Sequence, residues 1–113
     1  MKVLICGSRG WTDQAAIWDR LRNLPLDAEI ITGGAIGVDT IAKIGADYFG
    51  LTSIVFPADW KTHGKAAGLI RNIEMLDQKP DLVIAFWDGK STGTAHTITN
   101  AEKRTIPVEV ITA

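Results

Sequence analysis

The stretch Glu29-Ile30-Ile31-Thr32-Gly33-Gly34-Ala35-Ile36-Gly37-Val38-Asp39-Thr40-Ile41-Ala42 changes character in its middle. A short run with two β-branched isoleucines stops at a pair of glycines. The apolar positions that follow, Val38, Ile41, Ala42 and Gly45, fall on one helical face. A strand, a tight glycine turn and a helix in that order make a βα unit, and such units stack into a parallel sheet.

Outward from this stretch the same alternation holds. Strand-like runs cover 3–6, 29–32, 53–56, 81–86 and 108–111, and helical patterns cover 13–24, 38–49, 65–78 and 94–103. Thr12 or Asp13 caps the first helix and Pro25 ends it. Gly50 stops the second, and Pro80 lies beyond the third. The third helix shows Leu69, Ile73 and Leu76 on one face, and the fourth shows Thr94, Ile98 and Ala101. Right-handed crossovers imply a parallel sheet, and a Rossmann-like three-layer α/β/α fold with five strands in the order 3-2-1-4-5 satisfies this pattern. The first, second and fourth strands are continuously apolar, as strands covered on both faces must be. Val108-Glu109-Val110 alternates, which suits an edge.

The 113 residues suit one domain, and a hydrophobic fraction of 46% supports a true core. Apolar runs are strand-length, too short to cross a membrane. The N-terminus runs directly from an apolar strand into Gly7, so it reads as a first strand and not as a signal peptide. The lone Cys6 reads as a small core residue in a reducing compartment, hence a cytoplasmic protein. A formal net charge of −1 weighs against general nucleic-acid binding.

Ligands of such sheets sit beyond the carboxyl ends of the strands. There the chain places Gly7-Ser8-Arg9-Gly10-Trp11, the Gly33–Gly37 loop, the segment 57–64, and Trp87-Asp88-Gly89-Lys90-Ser91-Thr92-Gly93-Thr94. Glycines between a strand and a helix let backbone approach a ligand, and free amides at a helix start favour an anion. The Gly33, Gly34, Ala35, Gly37, Val38 segment and the Ser91, Gly93, Thr94 segment are therefore the expected phosphate holders. Neither has the G-x-G-x-x-G spacing. Gly89-Lys90-Ser91 resembles the end of a P-loop, but Ile84 stands where its first glycine belongs. Arg9 and Arg71 are the expected counter-charges, whereas Lys65 and Lys90 read as solvated. Asp39, Asp59 and Asp88 are the acidic candidates for ribose hydroxyls. Trp11, Trp60 and Trp87 fall in edge loops and would either stack on a base or bury a subunit interface; Trp18 reads as core. His63 and His96 lack metal-ligand spacing, and Ser8 lacks a histidine partner, so neither a metal site nor a nucleophilic triad is expected. No cofactor is implied.

Gly7-Ser8-Arg9, Thr32–Asp39, Ala67-Gly68-Leu69-Ile70-Arg71-Asn72 and Ala85–Thr94 together resemble the YspA/YpsA-related branch of the SLOG superfamily. The resemblance implies a Rossmann-like domain that binds nucleotides or nucleotide-derived signals such as ADP-ribose relatives. It also implies that the Arg71-Asn72 pair faces the ligand cleft. A neighbouring branch, the lonely-guy phosphoribohydrolases, is similar over Arg71-Asn72-Ile73-Glu74-Met75 and Gly93–Thr97, but its catalytic glutamate falls on Thr97. That departure argues against the same N-glycosidic hydrolysis unless Asp39, Asp59, Asp88 or Glu74 substitutes. The second segment is also similar to the G-x-A-x-G-I-D-x-x-A stretch of the DNA-processing protein A family, which binds single-stranded DNA. The expectation is a protein that senses or sequesters a nucleotide-derived small molecule, with hydrolysis of such a ligand and single-strand binding as the alternatives. A homo-oligomer, a dimer or higher, is expected from its small size, its tryptophans and its relatives.

Overall fold

In the computed structural model, which describes residues 1–112, five parallel strands lie in the order β3-β2-β1-β4-β5. They are β1 (Lys2–Gly7), β2 (Glu29–Thr32), β3 (Thr52–Val55), β4 (Leu82–Phe86) and β5 (Val108–Ile111). The helices are α1 (Gln14–Arg22), α2 (Val38–Tyr48), α3 (Trp60–His63), α4 (Ala67–Asp77) and α5 (Thr92–Lys103). β1 is central and pairs with β4 from Val3↔Leu82 to Gly7↔Phe86. The expected order and the all-parallel pairing are both present.

Period-two alternation in β1 divides the core. Val3 and Ile5 face a layer holding Ile17, Leu21, Val38, Ala42 and Ala46 of α1 and α2. Leu4 and Cys6 face the opposite layer, with Met75 and Leu76 of α4 and Ala101 of α5. Both layers are buried, so β1, β2 and β4 are apolar at successive positions. Trp11, expected at the ligand edge, belongs to the first layer. It is 7% exposed, meets Phe86 edge-on at 5.6 Å and donates its indole N–H to the Asp13 carbonyl. Trp18, expected in the core, is half-buried against it, stacked on Tyr48 and bonded to the Ile41 carbonyl.

The third helical segment departs from expectation. Asp59 accepts from the Thr62 N–H and caps the short α3, which Gly64 ends with a φ of 56°. A 3₁₀ turn at Gly64–Ala66 then leads into α4. The buried face of α4 is Ala67, Asn72, Met75 and Leu76, and Leu69 is left 44% exposed. α5 starts at Thr92, two residues earlier than its pattern suggested.

Candidate functional site

A cleft of about 540 Å³ opens at the carboxyl ends of the central strands. β1 supplies Cys6 and Gly7, and the following loop supplies Arg9 and Gly10. The β2–α2 connection contributes Ala35 and Asp39. Trp60, Lys65, Gly68, Leu69, Arg71, Asn72 and Met75 come from α3, the turn after it and α4. Ser91, Thr92, Gly93, Thr94 and Thr97 come from α5 and the residue before it. Loops far apart in sequence meet here because β1 and β4 are neighbours, with α4 and α5 packed on the same sheet face.

The start of α5 is the cleft's strongest anion feature. No side chain caps it and no acidic residue sits in its first turn. Among the described residues, the N–H groups of Thr92, Gly93 and Thr94 have no hydrogen-bond partner, and Ala95 N–H is the first to bond back, to Ser91. Orphan amides with a positive helix end are a ready anion holder. The loop before it is fastened by Asp88, whose carboxylate accepts from the N–H groups of Lys90 and Ser91 at 2.8 Å each and from the Ser91 hydroxyl at 3.1 Å. Those bonds, Ser91 N–H first, hold the Asp88 pKa down at about 2. Ser8, 1% exposed, accepts from the Asp88 N–H through Oγ and ties the first loop to the fourth. Trp87 donates its indole N–H to the Ser91 carbonyl.

The start of α2 is arranged differently. Its anion is its own: Asp39 in the first turn accepts from the Ala35 N–H at 3.1 Å. Gly33 presents its carbonyl, which accepts from Arg71 Nη1. A Cβ on Gly33 would meet that nitrogen at 2.5 Å, so glycine is required for the guanidinium to lie there. Gly37 has a φ of 87° and a bare Cα against the Arg9 backbone, where a Cβ would come within 2.6 Å of the Arg9 carbonyl oxygen. Val38 is fully buried in the core. The Gly33–Gly37 turn therefore shapes the cleft and seats Arg9 and Arg71.

Of the residues expected at the site, Gly7, Arg9, Ala35, Asp39, Trp60, Arg71, Asn72, Ser91, Gly93 and Thr94 line the cleft. Ser8, Gly33, Gly34, Gly37, Val38, Trp87 and Asp88 do not line it: Ser8, Trp87 and Asp88 are bonded to neighbouring loops, the Gly33 carbonyl holds Arg71, and Val38 is in the core. Asp59 is likewise occupied as the cap of α3. Lys65, expected in solvent, and Thr92 are additions to the site. Lys65 lies three, four and seven residues before Gly68, Leu69 and Asn72, a helical spacing that places all four on the cleft side. Thr97, 1% exposed, donates its hydroxyl to the Gly93 carbonyl, so no carboxylate occupies the position of the phosphoribohydrolase glutamate.

Charge in the cleft is mostly positive. Arg9 and Lys65 make no ion pair among the described residues. Arg71 donates Nη1 to the Gly33 and Phe56 carbonyls and Nε to Asn72, which leaves Nη2 without a partner among the described residues. Among those residues, Asp39 is the one carboxylate lining the cleft. Burial raises its pKa above the usual carboxylate value, opposed in part by the Ala35 N–H and the Arg71 charge. Burial also pushes the Cys6 thiol well above its ordinary range, which favours the protonated thiol. The described residues contain no cluster of His, Cys, Asp or Glu able to hold a metal, and no helix long and apolar enough to cross a membrane.

A parallel 3-2-1-4-5 sheet with a glycine- and hydroxyl-lined cleft at its carboxyl edge defines a Rossmann-like α/β class. Within it, the chain belongs to the YspA, cpYpsA-related SLOG family, whose model matches residues 1–63. It is 41% identical to the gene 61 protein of Mycobacterium phage D29 over 116 aligned positions, covering 95% of this chain and 93% of that protein. The X-ray structure of DNA processing protein A from Streptococcus pneumoniae superposes with a TM-score of 0.82 at 19% identity, covering 96% of this chain. The chain spans about half of that protein, 49% of its length, and the likeness is one of fold.

Proposed function

We propose that the protein binds a nucleotide-derived small molecule, sensing or sequestering it, with its phosphates at the start of α5. The observation that carries this reading is convergence. Three orphan amides, at Thr92, Gly93 and Thr94, share one cleft with Arg9, Lys65 and the Nη2 group of Arg71. A cleft so charged attracts an anion, and helix amides recognise phosphate oxygens without needing a base. Asp39 is the acceptor placed for ribose hydroxyls. Asp88, the other acidic candidate, is occupied by its own loop. Trp60, 53% exposed and packed beside Gly68, is the aromatic face available to a base; Trp87 is turned into its loop.

Calorimetry with ADP-ribose, cyclic ADP-ribose isomers and nucleoside monophosphates tests this. At least one is expected to bind, more weakly as salt rises. Lys65→Ala, which removes an exposed side chain with no internal partner, is expected to weaken binding roughly tenfold. Failure of every ligand, or unchanged affinity in both Lys65→Ala and Arg9→Ala, rejects the reading.

Hydrolysis of the same ligands is the second reading, and Asp39 is the observation that favours it: a buried carboxylate with a raised pKa beside an arginine is suited to proton transfer. Release of free base or ribose phosphate, seen by chromatography and lost in Asp39→Asn, would establish turnover.

A further inference from the structure

Asn72 is buried, 7% exposed, among otherwise apolar neighbours of α4, and both ends of its amide are used. Its Oδ1 accepts from Arg71 Nε at 3.1 Å, and its Nδ2 donates to the Gly93 carbonyl at 3.4 Å. Arg71 reaches in turn to the Gly33 and Phe56 carbonyls. One side-chain pair therefore links the ends of β2 and β3, the body of α4 and the first turn of α5. The Gly93 carbonyl also accepts from the Thr97 hydroxyl, so the first turn of α5 is held from two sides.

The chemistry of the position is narrow. It needs an acceptor for an arginine N–H and a donor for a carbonyl on a short uncharged side chain, a combination asparagine supplies. Aspartate lacks the donor, lysine lacks the acceptor, and leucine lacks both. Nothing in this arrangement requires Asn72 to touch a ligand. With Nε held by Asn72 and Nη1 by two carbonyls, the guanidinium plane is fixed and Nη2 remains as the group to meet an anion.

We infer that Asn72 is a positioning residue that joins the Arg71 guanidinium and the amide-bearing start of α5 into one preformed anion holder. This rests on the function proposed above for the cleft. A preformed holder loses less freedom on binding, so its disruption lowers affinity even though no ligand contact is removed.

The test uses the full chain, with ADP-ribose and AMP as probes in calorimetry and the Arg71 Nε–H resonance in ¹⁵N NMR. Asn72→Ala is expected to weaken the binding probe roughly tenfold, the scale of one hydrogen bond to a charged group. Arg71→Ala weakens it as well, and the double variant is expected to lose less than the two single losses added together, because part of what Asn72 does is done through Arg71. The Arg71 Nε–H exchanges slowly in the wild type and fast in Asn72→Ala. Asn72→Asp, nearly isosteric, is expected to keep a slow Nε–H and still bind more weakly, since it loses the bond to Gly93. Wild-type affinity in Asn72→Ala, or simple additivity in the double variant, overturns the inference. If the wild type binds neither probe, the functional reading fails separately. The Nε–H exchange then decides the inference: unchanged protection in Asn72→Ala overturns it, and lost protection in a variant that melts as a folded protein supports it.

Discussion

At Asp39, burial and hydrogen bonding pull in opposite directions. Burial dominates and lifts its pKa above 3.8, while the Ala35 N–H and Arg71 lower it by less. Between the ordinary carboxylate value and that raised value, the folded chain keeps a proton that the unfolded chain has released. Stability therefore falls as pH rises through the window and stays reduced above it. An asparagine in place of Asp39 would still accept from the Ala35 N–H and could not ionise. Asp39→Asn is thus expected to raise Tm at about pH 7, with the gain shrinking toward about pH 4 and absent below it. Thermal melts of the two proteins across pH check this; a lower Tm for the variant at neutral pH would contradict it. Asp88 has the opposite sign. Its loop bonds favour the carboxylate, and their contribution is present above 3.8 and fades as pH falls through about 2. Both aspartates were legible as acidic groups near the strand ends. Which one faces the cleft was not, because that depends on which amides fold back onto each.

Helix ends show where local sequence sufficed and where it did not. α2 ends in a Schellman turn: Leu51 N–H bonds to Ala46, Gly50 N–H bonds to Asp47, and Gly50 takes a φ of 73°. That glycine marked the stop in the sequence. α5 ends with the same two bonds, Ile106 N–H to Ala101 and Thr105 N–H to Glu102, both at 3.0 Å. Here the left-handed position is Thr105, with a φ of 57°, an uncomfortable place for a β-branched side chain. Thr105→Gly is expected to stabilise the protein by about 0.5–1 kcal/mol, the relieved strain exceeding glycine's added unfolded-state freedom. That corresponds to about 2–4 °C in Tm for a domain of this size, measured by thermal or urea unfolding. No glycine announced this turn, and α3 was missed for a related reason. Four residues have no apolar period, and only the Asp59 cap and Gly64 break delimit it.

At the scale of the molecule, the tryptophan argument for association rests on three edge-loop side chains and loses one of them. Trp11 is core, and Trp18 packs within its own chain. Other apolar groups take their place on the outside: Ile44 and Tyr48, 55% and 73% exposed, one turn apart on α2, and Ile54 and Val55 on the β3 edge. Exposed apolar groups on a helix and an edge strand suit a partner surface, and a second copy is the occupant proposed here. Sedimentation velocity is expected to show a species of about twice the 12.2 kDa chain mass. A single 12.2 kDa species at micromolar concentration would reject it.

The sheet and its order followed from the sequence alone, because buried strands must be apolar at every position and βα connections have one hand. The glycine- and hydroxyl-rich loops at one edge followed as well, since each is a local pattern. Tertiary structure decided which of two similar helix starts opens into the cleft: Thr92, Gly93 and Thr94 of α5 line it, whereas of the first turn of α2 only Asp39 does. It also brought Lys65 into the cleft and bound Arg71 to Asn72, Gly33 and Phe56. The physical reason is that a hydrogen-bonding group is defined by what is left after its neighbours are satisfied, and for Arg71 two of those neighbours, Gly33 and Phe56, lie 38 and 15 residues away along the chain.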